Sequence, residues 1–459
     1  MSTLITISIL AIVVLYLGLY KAKKALLPVT LIGLIAALGF AVSQWNTFAE
    51  PIYSGMMLFD KYAVAFSSIT ILSTILIFLL SNDYFERISD HVAEYYSVIL
   101  FALAGIIVMV SFHNLTMLFI GIEIMSVSLY ILAGIKKKDF ASNEAALKYF
   151  LMGAFSTGFL LFGVALIYGA TGSFDLEQIR DYVVQNPQAV SPIFYGGILL
   201  MIVGLSFKVG AAPFHFWAPD VYEGSPALIT AFMSTVVKTA GFAAFLRLFI
   251  FCFTPVQSFW IPIFVTFAAL SLLIGNVTAV YQQHFKRMLA YSSISHVGYM
   301  LFALISINSE SDSSVFVYAA AYSVASIIAF AVLIILQRQV GNDSFDSFNG
   351  IAKKNPFLAF TLTVAMLSLA GIPLTAGFIG KLLMFNRALA GLHIYLVVFA
   401  VLNALVGIFY YFRVIVAMYF KSAERNELVV SPLFKFVLGI SAIITVALGI
   451  YPDLITRLI

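Results

Sequence analysis

The sequence is poor in charge and nearly free of cysteine. Only 10% of its 459 residues are charged, against about 25% in an ordinary soluble domain. The single cysteine, Cys252, excludes a disulfide framework, a CxxC redox pair and a cysteine-held iron–sulfur cluster within the chain. GxGxxG, Walker A and HExxH patterns are also missing from the sequence, which argues against dinucleotide-binding, P-loop and zinc-protease classes.

Apolar residues are abundant instead. They make up 62% of the sequence, and the mean hydropathy is +1.04, so the composition predicts an all-α polytopic membrane protein. The N-terminus has neither a basic region nor a small-residue cleavage site, so Leu4–Tyr20 is predicted to be a retained span and not a signal peptide. The lone acids and bases inside the apolar stretches are therefore the residues to explain.

A membrane span requires about 20 apolar residues, and this rule predicts fourteen spans. They are approximately Leu4–Tyr20, Ala25–Gln44, Tyr62–Ser81, Tyr96–His113, Thr116–Ile135, Ala145–Ala170, Ile193–Trp217, Pro226–Phe251, Phe259–Gln282, Met288–Ile307, Ser314–Gln337, Pro356–Leu389, His393–Phe420 and Pro432–Ile450. The twelfth would be about 50 Å long as one helix, against a hydrocarbon core of about 30 Å. It is therefore predicted to form two half-helices around Pro373–Gly377, and Gly210 and Pro213 predict a similar interruption in the seventh.

The distribution of basic residues predicts the orientation. Connections after odd-numbered spans contain Lys21, Lys23, Lys24, Arg87, Lys136, Lys137, Lys138, Lys286, Arg287, Arg338, Lys353, Lys354, Lys421, Arg425 and Lys435, 15 in all, whereas the other face has 4, namely Lys61, Arg180, Arg387 and Arg457. Because cytoplasmic loops are rich in lysine and arginine, both termini are expected outside the cytoplasm. The acidic segments Asp175–Asp181 and Ser309–Ser314 are expected on the outer face.

The interiors of the predicted spans contain one acid, Glu123, and several bases. Lys208 lies beside the interruption of the seventh span, Lys238 lies in the middle of the eighth, and Lys381 follows the interruption of the twelfth. A lysine at bilayer depth costs about 2.5–3.5 kcal/mol on insertion scales and usually marks a functional site. The alternative for Lys208 is a side chain that extends to the membrane surface. Burial favours the neutral forms of lysine and glutamate and pairing favours the charged forms, so a Glu123–Lys208 pair can act as a proton switch.

An internal repeat brings these residues into register. Glu123 and Lys208 are 85 residues apart, and His296 and Lys381 are also 85 apart (208 − 123 and 381 − 296). Five spans per half make the halves inverted, and interruptions at matching places indicate a transport site. We expect helices 1–3 in residues 1–94, the two repeats in 95–252 and 257–420, and the last helix in 432–459.

Three other residues allow both a structural and a functional interpretation. His215 and His296 could be satisfied core histidines or could bridge a proton path, because histidine titrates near neutral pH. Lys148 can pair with Glu144 at the i,i+4 spacing of a helix, which favours a structural role.

Several motifs together resemble one family. HNLTMLFIGIEIMSVSLYIL, SFKVGAAPFHFWAPDVYEGSP, STVVKTAGF, SSISHVGYM and GIPLTAGFIGK are similar to the antiporter-like subunits of respiratory complex I, and to subunit N of bacterial NADH-quinone oxidoreductase among them. The resemblance covers nearly the whole chain. It implies fourteen helices, two inverted five-helix repeats, and discontinuous seventh and twelfth helices.

The resemblance also implies residue roles and surroundings. It places a proton relay on Glu123, Lys208, Lys238 and Lys381. We expect His215, His296 and Lys148 to act as supporting residues. It implies that NADH, FMN, iron–sulfur clusters and quinone are bound by partner subunits, in a bacterial inner membrane, with no cofactor or metal on this chain. Two alternatives are a subunit of a multi-subunit cation/proton antiporter or membrane hydrogenase, with Glu123 helping to bind sodium in the antiporter, and a purely structural scaffold.

Overall fold

In the computed structural model nearly every described segment is helical. The structure describes residues 1–45, 50–82, 84–186, 190–307, 311–391, 393–422 and 427–456. Its α-helices are α1 (Ser2–Leu19), α2 (Lys23–Ser43), α3 (Lys61–Leu80), α4 (Val92–Val110), α5 (Leu115–Ala133), α6 (Phe140–Thr171), α7 (Leu176–Gln185), α8 (Pro192–Val209), α9 (Trp217–Gly224), α10 (Ala227–Phe232), α11 (Lys238–Phe251), α12 (Gln257–Val280), α13 (Phe285–Met300), α14 (Phe302–Ile305), α15 (Ser311–Gln339), α16 (Ile351–Lys354), α17 (Pro356–Ala370), α18 (Ala376–Ala390), α19 (Ile394–Phe420), α20 (Pro432–Ile450) and α21 (Asp453–Thr456). The short elements between them are 3-10 turns at Phe85–Arg87, Thr254–Val256 and Phe345–Phe348 and a π-helix at Met233–Val237.

The predicted all-α membrane fold is confirmed. Within the described residues, 13 helical stretches are long and apolar enough to cross a membrane. The predicted twelfth span is the broken pair α17 and α18, which completes the fourteen crossings. Both halves of that pair pack against α15 and α20, so together they run the length of one crossing. An even number of crossings brings the two termini to the same face.

Side-chain caps fix where several spans begin. The Asp60 carboxylate accepts the Ala63 N–H before α3, Asn114 accepts the Thr116 N–H before α5, and Asp139 accepts the Ala141 N–H before α6. Such caps satisfy backbone donors that have no partner within the helix. The polar residues between the apolar runs therefore set the helix boundaries.

The two five-helix repeats are α4, α5, α6, α8–α9 and α10–α11, followed by α12, α13–α14, α15, α17–α18 and α19. Each begins with two helices in backbone contact. A Cβ on Gly105 of α4 would lie 2.8 Å from the Gly121 carbonyl oxygen of α5, and a Cβ on Gly275 of α12 would lie 2.6 Å from the Ser295 nitrogen of α13. Such separations admit only glycine, so the same close packing occurs at the start of both repeats.

The core of the molecule lies where the repeats meet. The stretches Ala227–Phe251, Phe285–Ile305 and Ser311–Gln339 are almost wholly buried, whereas the first and last spans are mostly exposed along their length. Helices α1–α3 pack against α4, and α3 also contacts α15 and α20. Arg247, near the end of α11, donates at 2.6 Å to Asp60, the residue that caps the start of α3.

The two acidic segments expected on the outer face are described in whole or in part. The acidic segment Asp175–Asp181 forms most of a short amphipathic helix, α7, which begins with the Asp175 side chain accepting two backbone N–H groups. Of the segment Ser309–Ser314, residues 309 and 310 lie outside the described residues, as do Arg425 and Arg457. The other lysines and arginines that were counted to predict the orientation lie within the described residues.

We predict that both termini face outward. A Ser2→Cys variant should react with a membrane-impermeant maleimide added to intact cells, whereas Lys137→Cys, in a basic connection, should react only after lysis. The native Cys252 is fully buried and gives a low background. Labelling of Ser2→Cys only after lysis would contradict the orientation.

Candidate functional site

Lys208 lies in the last turn of α8, which ends at the break in the seventh crossing. Gly210 adopts the left-handed conformation (φ 75°), and the Ala211 N–H bonds to the Ser206 carbonyl. Glycine tolerates this helix ending, and a cation in the last turn interacts favourably with the helix dipole. The predicted interruption at Gly210 and Pro213 is present as the non-helical stretch between α8 and α9.

Hydroxyl groups hold the Lys208 ammonium. It donates to Ser126 Oγ at 3.0 Å, to Tyr130 OH at 3.4 Å and to Thr157 Oγ1 at 3.2 Å. The side chain is only 7% exposed, so it does not reach the membrane surface. These partners come from α5 and α6, which makes Lys208 the point where three helices of the first repeat meet.

The expected direct contact between Glu123 and Lys208 is absent in this structure. Among the described ion pairs none joins the two side chains, because Ser126, one turn along α5 from Glu123, is the group that reaches the ammonium. Glu123 Oε1 is buried and has no hydrogen-bond partner among the described residues. The Lys208 ammonium of α8 therefore lies against Ser126, about one turn along α5 from Glu123, without a direct hydrogen bond to the Glu123 carboxylate.

The break after Lys208 is anchored by the second repeat. The Ala212 N–H donates to Ser271 Oγ of α12 at 2.9 Å, and the Trp217 indole donates to the Phe207 carbonyl at 2.9 Å. His215 lies in this stretch, 5% exposed, with its ring 4.6 Å from that of Phe216. Its Nδ1 has no hydrogen-bond partner within the described part of the chain. The structure therefore places His215 beside the break and not in contact with a buried lysine.

Lys238 follows directly after the π-helix Met233–Val237 in the eighth crossing. Its ammonium donates to Ser293 Oγ at 2.7 Å and to the Ser293 carbonyl at 3.2 Å, and it lies 5.6 Å from the Tyr222 ring centre. The residue is 1% exposed. π-Helical turns occur frequently at functional sites, and this one interrupts the helix at the central lysine.

Lys381 lies in α18, yet its ammonium contacts the end of α17. It donates to the Leu369 carbonyl at 3.0 Å and to the Ala370 carbonyl at 2.8 Å. Of the other two terminal carbonyls of α17, that of Leu367 accepts the N–H groups of Gly371 and Ile372, and that of Ser368 accepts the Gly371 N–H. A helix end leaves four carbonyls without partners inside the helix, and Lys381 supplies the hydrogen bonds to the last two of them.

This geometry corrects the register inferred from the sequence. The left-handed glycines Gly210 and Gly371 mark the equivalent breaks, and they are 161 residues apart (371 − 210) instead of 173. Lys208 then corresponds to Leu369 (208 + 161), the residue whose carbonyl binds Lys381. The two lysines come from different half-helices, but both ammonium groups lie at the C-terminal end of the first half.

Helix α13 connects Lys238 to Lys381. Ser293, His296 and Tyr299 follow one another at intervals of three residues, which places them along one face. Lys238 binds the first, and the Lys381 ammonium lies 4.9 Å from the ring centre of the third. The span from Ser293 to Tyr299 is about 9 Å along a helix.

His296 occupies the middle of this face. Its Nδ1 lies 2.8 Å from Tyr318 OH and its Nε2 lies 3.1 Å from Tyr411 OH. A cavity of about 10 Å³ lined by His296, Tyr318 and Leu369, among others, lies beside it, which is about the smallest space that holds a water molecule. His296 and the backbone that binds Lys381 therefore share one cavity.

Lys148 belongs to a separate polar cluster. It contacts Glu144 at 2.7 Å, as its i,i+4 spacing predicted, and also Asp220 of α9 at 2.7 Å. Arg287 of α13 contacts Asp220 at 3.1 Å and also binds Glu223. These ion pairs join α9, the second half of the broken seventh crossing, to α6 of the first repeat and to α13 of the second.

Some of the groups that bind the lysines could not be identified from the sequence. Ser126, Tyr130 and Thr157 are ordinary hydroxyls on apolar helices, and a π-helix has no sequence signature comparable to a proline. Within SSISH, Ser292, Ser293 and Ser295 each donate to a carbonyl three residues earlier. Ser293 does more, since it also accepts from Lys238.

Together these features define a class of protein. It is a helical membrane protein in which buried ionisable side chains lie at breaks in membrane-spanning helices, the arrangement found in ion transporters. A family model described as "NADH:quinone oxidoreductase/Mrp antiporter, TM" matches residues 112–407, well over half of the chain. The chain belongs to this family, and the resemblance inferred from the motifs is confirmed.

Relatives that match the chain over its full length support the same family assignment. NADH-quinone oxidoreductase subunit N of Flavobacterium psychrophilum is 42% identical over 460 residues, which cover 100% of both chains. A chain in the structure of respiratory complex I from Thermus thermophilus with bound Aureothin is 32% identical, with a TM-score of 0.85 over 99% of this chain and 98% of that one. A chain of an archaeal membrane-bound sulfane sulfur reductase is 25% identical, with a TM-score of 0.90 over 99% and 95%.

We predict that Gly371 keeps Lys381 in place. A Cβ at Gly371 would lie 2.7 Å from Lys381 Cδ, and its φ of 84° strains any other residue. Gly371→Ala should displace the amine and lower proton translocation, measured by dye quenching in vesicles containing the whole complex.

Gly341→Ala is the matched control. Gly341 has a φ of 82° but has no neighbour within 4 Å of an added Cβ. Both variants should lose about 1–2 kcal/mol from the left-handed conformation, and only Gly371→Ala should lose translocation. Equal losses in the two variants would show that backbone strain alone is responsible.

Proposed function

We propose that this chain carries protons across the membrane as subunit N of an NADH:quinone oxidoreductase. Its match to curated relatives of that name over their whole length supports the assignment. The observation that carries the transport proposal is the single face of α13 that joins Lys238, through Ser293, His296 and Tyr299, to Lys381.

The proposed relay begins at Glu123 and Lys208. Electron transfer from NADH to quinone takes place in partner subunits, which bind NADH, FMN, iron–sulfur clusters and quinone. A conformational or electrostatic change that starts there alters the charge of the Glu123–Lys208 neighbours. Protons then pass through Lys238, the central group, to His296 and to Lys381, the exit-side group.

The contacts of the lysines suit proton transfer. A hydroxyl can accept a hydrogen bond from an ammonium or donate one to a neutral amine, and Lys208 has three hydroxyl partners. Lys238 and Lys381 are held by a hydroxyl and by backbone carbonyls. Loss of a proton from any of the three leaves no contacting carboxylate unpaired, so each can change charge without the penalty of breaking a buried ion pair.

Like charges in the interior provide the coupling between steps. A protonated lysine disfavours a second positive charge nearby, and this repulsion is little screened away from water. Moving one charge against 100 mV requires about 2.3 kcal/mol, within the range of such interactions at low dielectric. Protonation of one group can therefore drive release from the next.

The remaining predicted residues support the path. His215 lies at the first break, and Lys148 fixes α9 through Asp220. The protein acts in a bacterial inner membrane beside other antiporter-like and quinone-site subunits and a peripheral redox arm. Its termini lie on the periplasmic side.

The alternative is a subunit of a multi-subunit cation/proton antiporter, since the description of the matching family also includes Mrp antiporters. Copurification in mild detergent separates the two. A peripheral arm with flavin and iron–sulfur absorption supports the oxidoreductase, whereas sodium-dependent proton exchange by a complex without such an arm supports the antiporter.

We predict that Lys381 must release its proton. Lys381→Arg keeps the positive charge but cannot deprotonate in this range, so it should abolish most proton pumping in reconstituted vesicles. Lys381→Glu should retain part of the activity, because a buried carboxyl can also exchange a proton near neutral pH. Full pumping by the arginine variant would show that only the charge is required at this position.

A further inference from the structure

Two adjoining cavities lie on the exposed surface of the broken crossing in the second repeat. One, of about 420 Å³, is at the start of α17 and α20 and is lined by Lys354 and Lys435. The other, of about 460 Å³, is a groove between the same two helices. Phe357 lines both, so the two spaces lie next to each other.

The groove is apolar and open to the surface. Phe357 and Phe360 of α17 and Ile443 of α20 are 43%, 59% and 65% exposed, with Val364 and Val446 further along. From Phe357 to Val364 the groove is about 10 Å long at 1.5 Å per residue. This length lies within one leaflet, half of the hydrocarbon core of about 30 Å.

The mouth of the groove is basic and rigidly built. Among the described residues neither Lys354 nor Lys435 has an ion-pair partner, and Glu427 is the one acid lining the mouth. The wall at Leu428 is fixed by the Asn355 side chain, which donates to its carbonyl at 2.8 Å and accepts its N–H at 2.9 Å. A preformed pocket with excess positive charge at the end of an apolar groove suits an amphiphilic anion.

We propose that this groove binds one anionic phospholipid. Its phosphate lies between Lys354 and Lys435, and one acyl chain lies between α17 and α20. A neighbouring protein helix would cover the apolar groove but does not account for the two unpaired lysines at its mouth. On the predicted orientation the mouth faces the cytoplasmic leaflet, where anionic lipids attract basic residues.

A photo-crosslinking residue can test this in the assembled complex. p-Benzoylphenylalanine replaces Phe360, and the complex is reconstituted in vesicles of phosphatidylglycerol and phosphatidylcholine. After illumination, mass spectrometry should show phosphatidylglycerol adducts enriched at least about fivefold over the bilayer ratio, the effect of one basic residue near an anionic surface. The same replacement at Leu402, on the exposed apolar face of α19, should give the bilayer ratio.

Variants at the mouth and in the groove complete the test. Lys354→Gln with Lys435→Gln should bring the adducts at position 360 to the bilayer ratio, whereas Lys353→Gln, an exposed neighbour that does not line the mouth, should leave the enrichment unchanged. Gly439→Leu should reduce adduct yield, because a Cβ there has ordinary contact only, 3.7 Å from Phe357, and the longer side chain fills the groove. NADH oxidation confirms assembly. Equal lipid ratios at positions 360 and 402, or adducts to a neighbouring subunit at position 360, would overturn the proposal.

Discussion

Lys208, Lys238 and Lys381 are each kept in the apolar interior by neutral oxygens at an irregular stretch of helix. The interior strongly disfavours an ammonium without hydrogen-bond partners. Lys208 and Lys238 find theirs mainly in side-chain hydroxyls of α5, α6 and α13, and Lys381 finds its partners in the carbonyls at the end of α17. The end of α8, the π-helix before Lys238 and the end of α17 lie at these positions. Lys381 depends on its break directly, because its ammonium binds carbonyls that the helix end leaves free. Lys208 and Lys238 lie beside an irregular stretch but are held by hydroxyls of neighbouring helices.

The two repeats are held in register by contacts that cross between them. Ser271 of the second repeat bonds to the break of the first, and Arg287 and Lys286 of α13 bind α9. The same helix also carries Ser293 and His296. Any shift of α9 relative to α13 would consequently be felt at Lys238, which offers a physical route by which a change in the first repeat reaches the second.

Much of this arrangement could be predicted from the sequence, because apolar length, basic asymmetry and Gly–Pro interruptions act locally. The break near Pro373 was predicted in this way, and the structure places it between Ala370 and Ala376. The contact of Lys148 with Asp220 joins residues 72 apart, and no local pattern specifies it. The prediction of a direct Glu123–Lys208 contact was wrong. Sequence spacing identifies two charges in the same part of the fold, but it does not show which hydroxyl binds the ammonium. The 173-residue offset failed for a related reason, since Lys381 reaches its position from the opposite half-helix.

The central claim is that protons pass through Lys238, and an uncharged replacement in the whole complex tests it most directly. Lys238→Met should sharply lower the number of protons pumped per NADH oxidised in reconstituted vesicles. Arg413→Met is the control, since Arg413 is also a base within a predicted span, but it donates to Gln282 and Gln283 at 2.9 Å each and not to any residue of the path. The account predicts a low ratio for Lys238→Met and a normal ratio for Arg413→Met. A normal ratio in Lys238→Met, with the complex assembled and oxidising NADH, would contradict it.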